Sequence, residues 1–251
     1  MLALGVSRAE AWPADLSQRI AKDAMRLLPK SLAEVFLENE AAIFADARTT
    51  RMKALPLLYL DLPKGRLTAP TQAALGEELA ARVRALHGAQ FRDAVISLGA
   101  TYRLAVDLAD PGVALGTGGD AKARAIRREF YLFVAANRDK IPLVVVNPDS
   151  LRMSLDAVPA FLASAAARTS DQAALLRAEG EEGGRVLPFS QIDFRSPVFA
   201  VASTAYSRSV SAVAATWIAV WRSAGGDMNR QKVPQTINPR PTQFSPGSRN
   251  P

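Results

Sequence analysis

The chain has 251 residues, 49% of them hydrophobic, with a mean hydropathy of +0.02. That is apolar material for one good-sized core and suits a single domain, while the absence of cysteine excludes disulfides and thiolate metal sites. No apolar run approaches the roughly 20 residues of a membrane-spanning helix, and the formal charge of +7 permits weak attraction to anionic lipid or nucleic acid.

Met1 to Val6 is a short apolar run, followed by Ala9-Glu10-Ala11, a small-x-small triplet of the kind signal peptidases cut after. The run has no basic start and is short for a signal core. It reads either as a ragged end leading into a helix or as the last part of a signal peptide, residues 1–11, with the mature chain beginning at Trp12. The first helix follows, with Leu16, Ile20, Ala24 and Leu27 on one stripe and Pro29 as its stop. "SLAEVFLENEAAIFADA" predicts a second helix, opened by a Ser31/Glu34 capping box. A third, "APTQAALGEELAARVRALHG", has Thr71 as its cap and Gly88 just past its end. The fourth, "FRDAVISLGATYRLAVDLADPG", is apolar nearly all round and predicts a central helix, ended by Pro111 and Gly112.

"GTGGD" at 116–120 is glycine-rich but lacks the lysine and the preceding strand of a phosphate loop, so it reads as a connector. A fifth helix carries Lys122, Arg124, Arg127 and Arg128 on a basic outer face. The sixth, "SLRMSLDAVPAFLASAAAR", is kinked or divided by Pro159, and a long last helix starts near Pro197 and closes at Gly225 and Gly226. "IPLVVVNPD" has strand character but no evident partner. From Asp227 the chain turns rich in Pro, Asn, Gln and Arg, which predicts a disordered basic tail over 227–251. Long helices and missing strand partners make the fold all-α, a multi-helix bundle over 12–226. No serine has a nucleophile signature, and the single histidine, His87, reads as a helix-end or surface residue.

"LGATYRLAVDLADPGV", Leu98 to Val113, resembles a segment of the zinc-dependent phospholipase C family, whose all-α fold is shared with certain single-strand nucleases. In that family the segment carries a histidine, then an aspartate, then a proline and a second histidine. Asp107 and Pro111 match, whereas Arg103 and Val113 stand at the histidine positions. The resemblance implies a mature N-terminal tryptophan whose amine and carbonyl bind zinc, which Trp12 fits. It implies a histidine five residues on, where Ser17 stands, and a metal-binding aspartate, for which Asp46 is the candidate. A histidine before a Tyr-hydrophobic-Asp-Leu frame is replaced by Leu58 in "LLYLDL". In the fifth helix Glu129 is the carboxylate, with Ala125 at the histidine position. The long last helix, with Trp217 and Trp221, resembles the family's closing helix.

The resemblance therefore implies a bundle of the phospholipase C type with remnant ligands Trp12, Asp46, Asp107 and Glu129 and no imidazole among them. Zinc favours nitrogen and sulfur ligands, so this set would not hold the family's zinc cluster, although one Ca²⁺ or Mg²⁺ would suit oxygen donors. Arg103, one turn before Asp107, is the expected charge-compensating group, bridging Asp107 to Asp46 or Glu129. These readings describe an exported, periplasmic or secreted, protein that has lost phosphodiester hydrolysis and serves binding or structure. A phosphate-bearing small molecule or anionic lipid would be its ligand. The alternatives are a residual phosphoesterase using a carboxylate-ligated metal, and a basic interaction protein for anionic lipid or nucleic acid.

Overall fold

The computed structural model describes residues 12–49, 52–115, 120–145, 147–193, 195–229 and 236–237. The presumed signal remnant 1–11, the glycine-rich residues 116–119 and most of the tail lie outside the described residues. The described chain is mostly helical, the all-α class expected from the sequence. Its longest helix, α11 (Pro197–Ser223), is buried at nearly every position from Val201 to Trp221. Alanines and serines recur along it, and small side chains let neighbouring backbones approach. Ser209 and Ser211 donate to the carbonyls of Ala205 and Ser207 one turn back, so their hydroxyls cost little in the core.

Around α11 pack α1 (Ala14–Met25), α7 (Tyr102–Leu108) and α10 (Val158–Glu179). The expected long second helix is two helices, α2 (Lys30–Glu38) and α3 (Glu40–Thr49), divided at Asn39. The capping box is corrected too. Pro29 holds the N-cap position, Ser31 donates to the Asp227 carbonyl, and Glu34 faces Lys30. α4 (Ala54–Asp61) leads through a 3₁₀ turn to α5 (Ala69–Leu86), whose N-cap residue is Thr68 rather than Thr71.

The predicted central helix is also divided, at Thr101, into α6 (Phe91–Ala100) and α7. The Leu98 carbonyl there accepts from the Thr101 hydroxyl and from the Trp217 indole, partners that stand in for a continuing helical ladder. After Asp110 a single turn, α8 (Pro111–Ala114), begins with Pro111 in its first turn, so this proline opens a helix rather than closing one. α9 (Ala121–Asn137) is capped by Asp120, which accepts from the backbone of Lys122 and Ala123. Pro159 lies in the first turn of α10 and kinks nothing; the residues before it form two 3₁₀ turns.

The strand-like segment does find a partner. β1 (Leu143–Val144) pairs antiparallel with β4 (Thr236–Ile237), register Leu143 to Ile237, from the stretch expected to be disordered. The tail's beginning is anchored as well: the Asp227 carbonyl accepts from Trp221 Nε1 and Ser31, and the Asn229 carbonyl from Lys30 N. A hairpin, β2 (Glu181–Glu182) with β3 (Arg185–Val186), turns on Gly183 and Gly184 at φ 54° and 82°, a conformation that favours glycine.

Candidate functional site

One buried polar cluster lies where α1, α4, α7, α8 and α9 meet. Asp107 and Asp110, at 2% and 0% exposure, are its centre, and every residue from Leu104 to Leu115 is buried. Asp107 lies on α7, one turn after Arg103. Arg103 Nε is 3.5 Å from its carboxylate, and the Tyr59 hydroxyl of α4 donates to the same oxygen. Arg103 Nη1 reaches the Ala47 carbonyl on α3 at 3.2 Å. Burial pushes the Asp107 carboxyl up to about 6, against the Tyr59 hydrogen bond and the Arg103 charge.

Asp110 is the N-cap of α8, and its Oδ1 accepts the Gly112 N–H at 2.7 Å. Its Oδ2 accepts from the Tyr131 hydroxyl of α9 at 2.7 Å, and the Trp12 backbone N–H also donates to this carboxylate. Burial pushes Asp110 up to about 7, opposed by those hydrogen bonds and assisted by the neighbouring Asp107 charge. Gly112 is required here, because a Cβ at that position would run into the Tyr131 ring and hydroxyl. Trp12 is 3% exposed, its ring tilted against Phe130 and Tyr131 with centroids 5.5 and 5.9 Å away. Its carbonyl accepts from Ser17 Oγ at 3.0 Å.

Of the positions singled out by sequence, Trp12, Ser17, Arg103 and Asp107 take part in this cluster. Leu58 and Val113 are fully buried core residues, and Ala125 is half-buried on α9. Glu129 faces elsewhere: its carboxylate accepts the Phe189 backbone N–H at 3.3 Å. Two residues on, about 200° around the helix, Tyr131 is the one turned to the acids. Asp46 is half-buried on α3 and joins none of the cluster's contacts among the described residues. The expected bridge from Arg103 to Asp46 or Glu129 is therefore corrected. The guanidinium spans from Asp107 to the Ala47 carbonyl in the last turn of α3 instead, and the Glu129 carboxylate is taken up by the Phe189 N–H.

Asp110, Tyr59 and Tyr131 are the members that sequence reasoning missed. Asp110 had a signal, since Asp-Pro-Gly after a helical run is an N-cap with proline in the first turn. Tyr59 was in view only as the tyrosine of the Tyr-hydrophobic-Asp-Leu frame, and Tyr131 had no signal beyond lying two residues after Glu129.

The donors here do not fit a zinc cluster. Trp12 spends its N–H on Asp110 and its carbonyl on Ser17, and Asp107 already faces a guanidinium. An added cation at Asp107 would meet that charge at close range. Among the described residues no group of three or more His, Cys, Asp or Glu side chains is placed to hold a metal. Carboxyls titrating near neutrality are of the type that moves protons in catalysis, yet a substrate could not reach two acids this deeply covered. The open groove lined by Gly88, Gln90, Asp93 and Ser97, between α5 and α6, involves none of these residues. No protein-family model, no curated protein and no solved structure matches the chain.

Proposed function

We propose that the chain is an exported helical protein of the phospholipase C/nuclease type that no longer hydrolyses phosphodiesters, and that its former metal centre now holds the bundle together. One observation carries this reading: in one buried cluster the Trp12 backbone is paired by Asp110 and Ser17, and Asp107 by Arg103 and Tyr59, all of them protein groups. Ser17 and Arg103, at positions where the family has imidazoles, donate hydrogen bonds in place of accepting a metal. Leaving such acids buried without partners would cost several kcal/mol, roughly 3–5 for a broken buried pair, so the cluster's role is structural.

Purified protein beginning at Trp12 is expected to hold no stoichiometric zinc, calcium or magnesium after dialysis and to release no chromophore from a chromogenic phosphodiester. Stoichiometric metal retained together with turnover would overturn the reading in favour of a residual phosphoesterase. The basic-surface alternative is weakened by Lys122, whose ammonium is 2.6 Å from Glu181, and by Arg127, whose Nη1 is buried without a hydrogen-bond partner among the described residues. That face presents less free charge than its sequence suggests.

A further inference from the structure

Asp110 is a completely buried carboxylate, and among the described residues no ion pair reaches it. The charge that perturbs it is another acid, Asp107, while the guanidinium of Arg127 acts on its donor Tyr131. It has three donors, the Tyr131 hydroxyl, the Gly112 N–H and the Trp12 N–H, each of them neutral in the intact chain. Burying a carboxylate with only dipoles around it is costly, and such groups are ordinarily matched by a cation. One of the three donors can become a cation. Trp12 N belongs to the peptide bond that follows Ala9-Glu10-Ala11, the small-x-small triplet.

We infer that Asp110 is built to receive the free α-ammonium of Trp12, so that cleavage after Ala11 completes the buried cluster with an ion pair. The inference rests on the reading of Trp12 as the first residue after export. In the step itself, a signal-peptidase-type endopeptidase adds water across the Ala11–Trp12 bond. Ala11 leaves with a new carboxylate, and the Trp12 nitrogen takes up a proton to become an ammonium. The rest of the molecule already serves that geometry. Trp12 is clamped by two aromatic rings and by Ser17, so its nitrogen is held at the carboxylate before any charge appears. The cluster has Arg103 for Asp107 and, until processing, no ion pair for Asp110 among the described residues. Charge complementarity is then restored one acid to one cation. Folding is thereby linked to processing, because the cut chain gains a contact that the uncut chain lacks.

The test is a thermodynamic cycle. A chain released from a removable fusion so that Trp12 is its first residue is compared with the chain carrying residues 1–11, each with Asp110 and with Asp110→Asn. The Trp12-first chain is expected to melt roughly 5 °C higher than the uncut chain, and the difference should vanish in the Asp110→Asn pair. Equal midpoints with Asp110 present, or a difference that survives Asp110→Asn, would overturn the pairing. Should the asparagine variant not fold, competitive acylation of the Trp12 amine across pH decides: a labelling midpoint at least about one pH unit higher in the native protein than in urea supports the pair, and an equal or lower midpoint refutes it. N-terminal sequencing of exported protein judges the processing separately. A mature end other than Trp12 removes the export reading and leaves the cycle to rule on the pair.

Discussion

Asp61 and Asp110 are both buried carboxylates with three hydrogen-bond donors, yet their pKa values are shifted in opposite directions. Asp61, 3% exposed, accepts from Thr68 N, Thr68 Oγ1 and Thr71 Oγ1 at 2.6–2.7 Å, with Lys64 Nζ 3.6 Å away. Burial works to raise its pKa, but the hydrogen bonds from Thr71 and Thr68 outweigh that, and the group lies below the usual carboxylate value. Asp110 has as many donors and lies at about 7. The count of hydrogen bonds is therefore not what separates them. Asp61 lies just under the surface at the start of α5, among exposed Pro63, Lys64, Arg66, Ala69 and Pro70. It meets the positive end of an 18-residue helix. Asp110 is enclosed on all sides and has a second acid for a neighbour. At Asp61 the hydrogen bonds outweigh a shallow burial and set the sign, whereas at Asp110 depth and a neighbouring acid outweigh as many donors.

The sharpest expected difference between the two is in pH dependence. A carboxyl whose folded pKa is raised keeps its proton in the folded state where the unfolded chain has lost it, so its contribution is complete in acid and falls as pH rises. For Asp110, in the chain with residues 1–11 attached, the loss runs from about pH 4 to about pH 7, following a rise from 3.8 to about 7. Asp107 contributes over the lower part of that window. The change is on the order of 4 kcal/mol for Asp110 alone. Asp61 works the other way, present above its ordinary pKa and lost only in stronger acid. Urea midpoints should therefore fall between pH 4.5 and 7.5, and Asp110→Asn should flatten most of that slope while Asp61→Asn leaves it. A flat profile in the parent chain would show that the two sites do not differ as described.

Gly112→Ala breaks the deeper site by geometry alone. A methyl group there occupies the space of the Tyr131 hydroxyl and ring. Either α8 or Tyr131 must move, and Asp110 loses a donor. Overpacking and a lost buried hydrogen bond together amount to roughly 2–4 kcal/mol, measurable by urea unfolding at pH 7.5. Gly76→Ala is the control, since its added methyl would meet only Pro159 at ordinary contact distance, 3.8 Å.

Helix periodicity located α1, α5, α9 and α11, because each carries a long apolar stripe and a proline, glycine or capping signal at an end. It failed where tertiary partners replace the helical ladder. Thr101 looks like any residue of a long apolar helix, and only the Trp217 indole on the Leu98 carbonyl makes the break intelligible. Likewise β1 gave no sign of a partner, because its partner β4 is two residues within a stretch of tail composition. In the site, Arg103 and Asp107 were legible as an i,i+4 pair. Tyr131 was not, since whether Glu129 or Tyr131 faces the acids depends on how α9 is rotated against α8, and local spacing carries no information on that.

The smallest effects test whether a nearby cation contributes at either site. Arg103 is 24% exposed and 3.5 Å from Asp107, while Lys64 is 60% exposed and 3.6 Å from Asp61. The distances are alike, so distance alone predicts equal losses on substitution by alanine. Environment predicts otherwise. Lys64 lies in water, where an ion pair contributes about 0–0.5 kcal/mol, and Asp61 keeps all three of its donors without it. Arg103 serves an acid that would be left with the Tyr59 hydroxyl as its one described hydrogen-bond donor. Its removal also frees the Ala47 carbonyl. Partial exposure discounts the full cost of a broken buried pair, leaving about 1–2 kcal/mol. Arg103→Ala should thus lower the urea midpoint clearly and Lys64→Ala scarcely at all, and added salt should leave the first loss largely intact because a buried pair is weakly screened. Equal losses, or an Arg103 effect that disappears in salt, would mean that the deeper site is open to water and that its acids are ordinary ones.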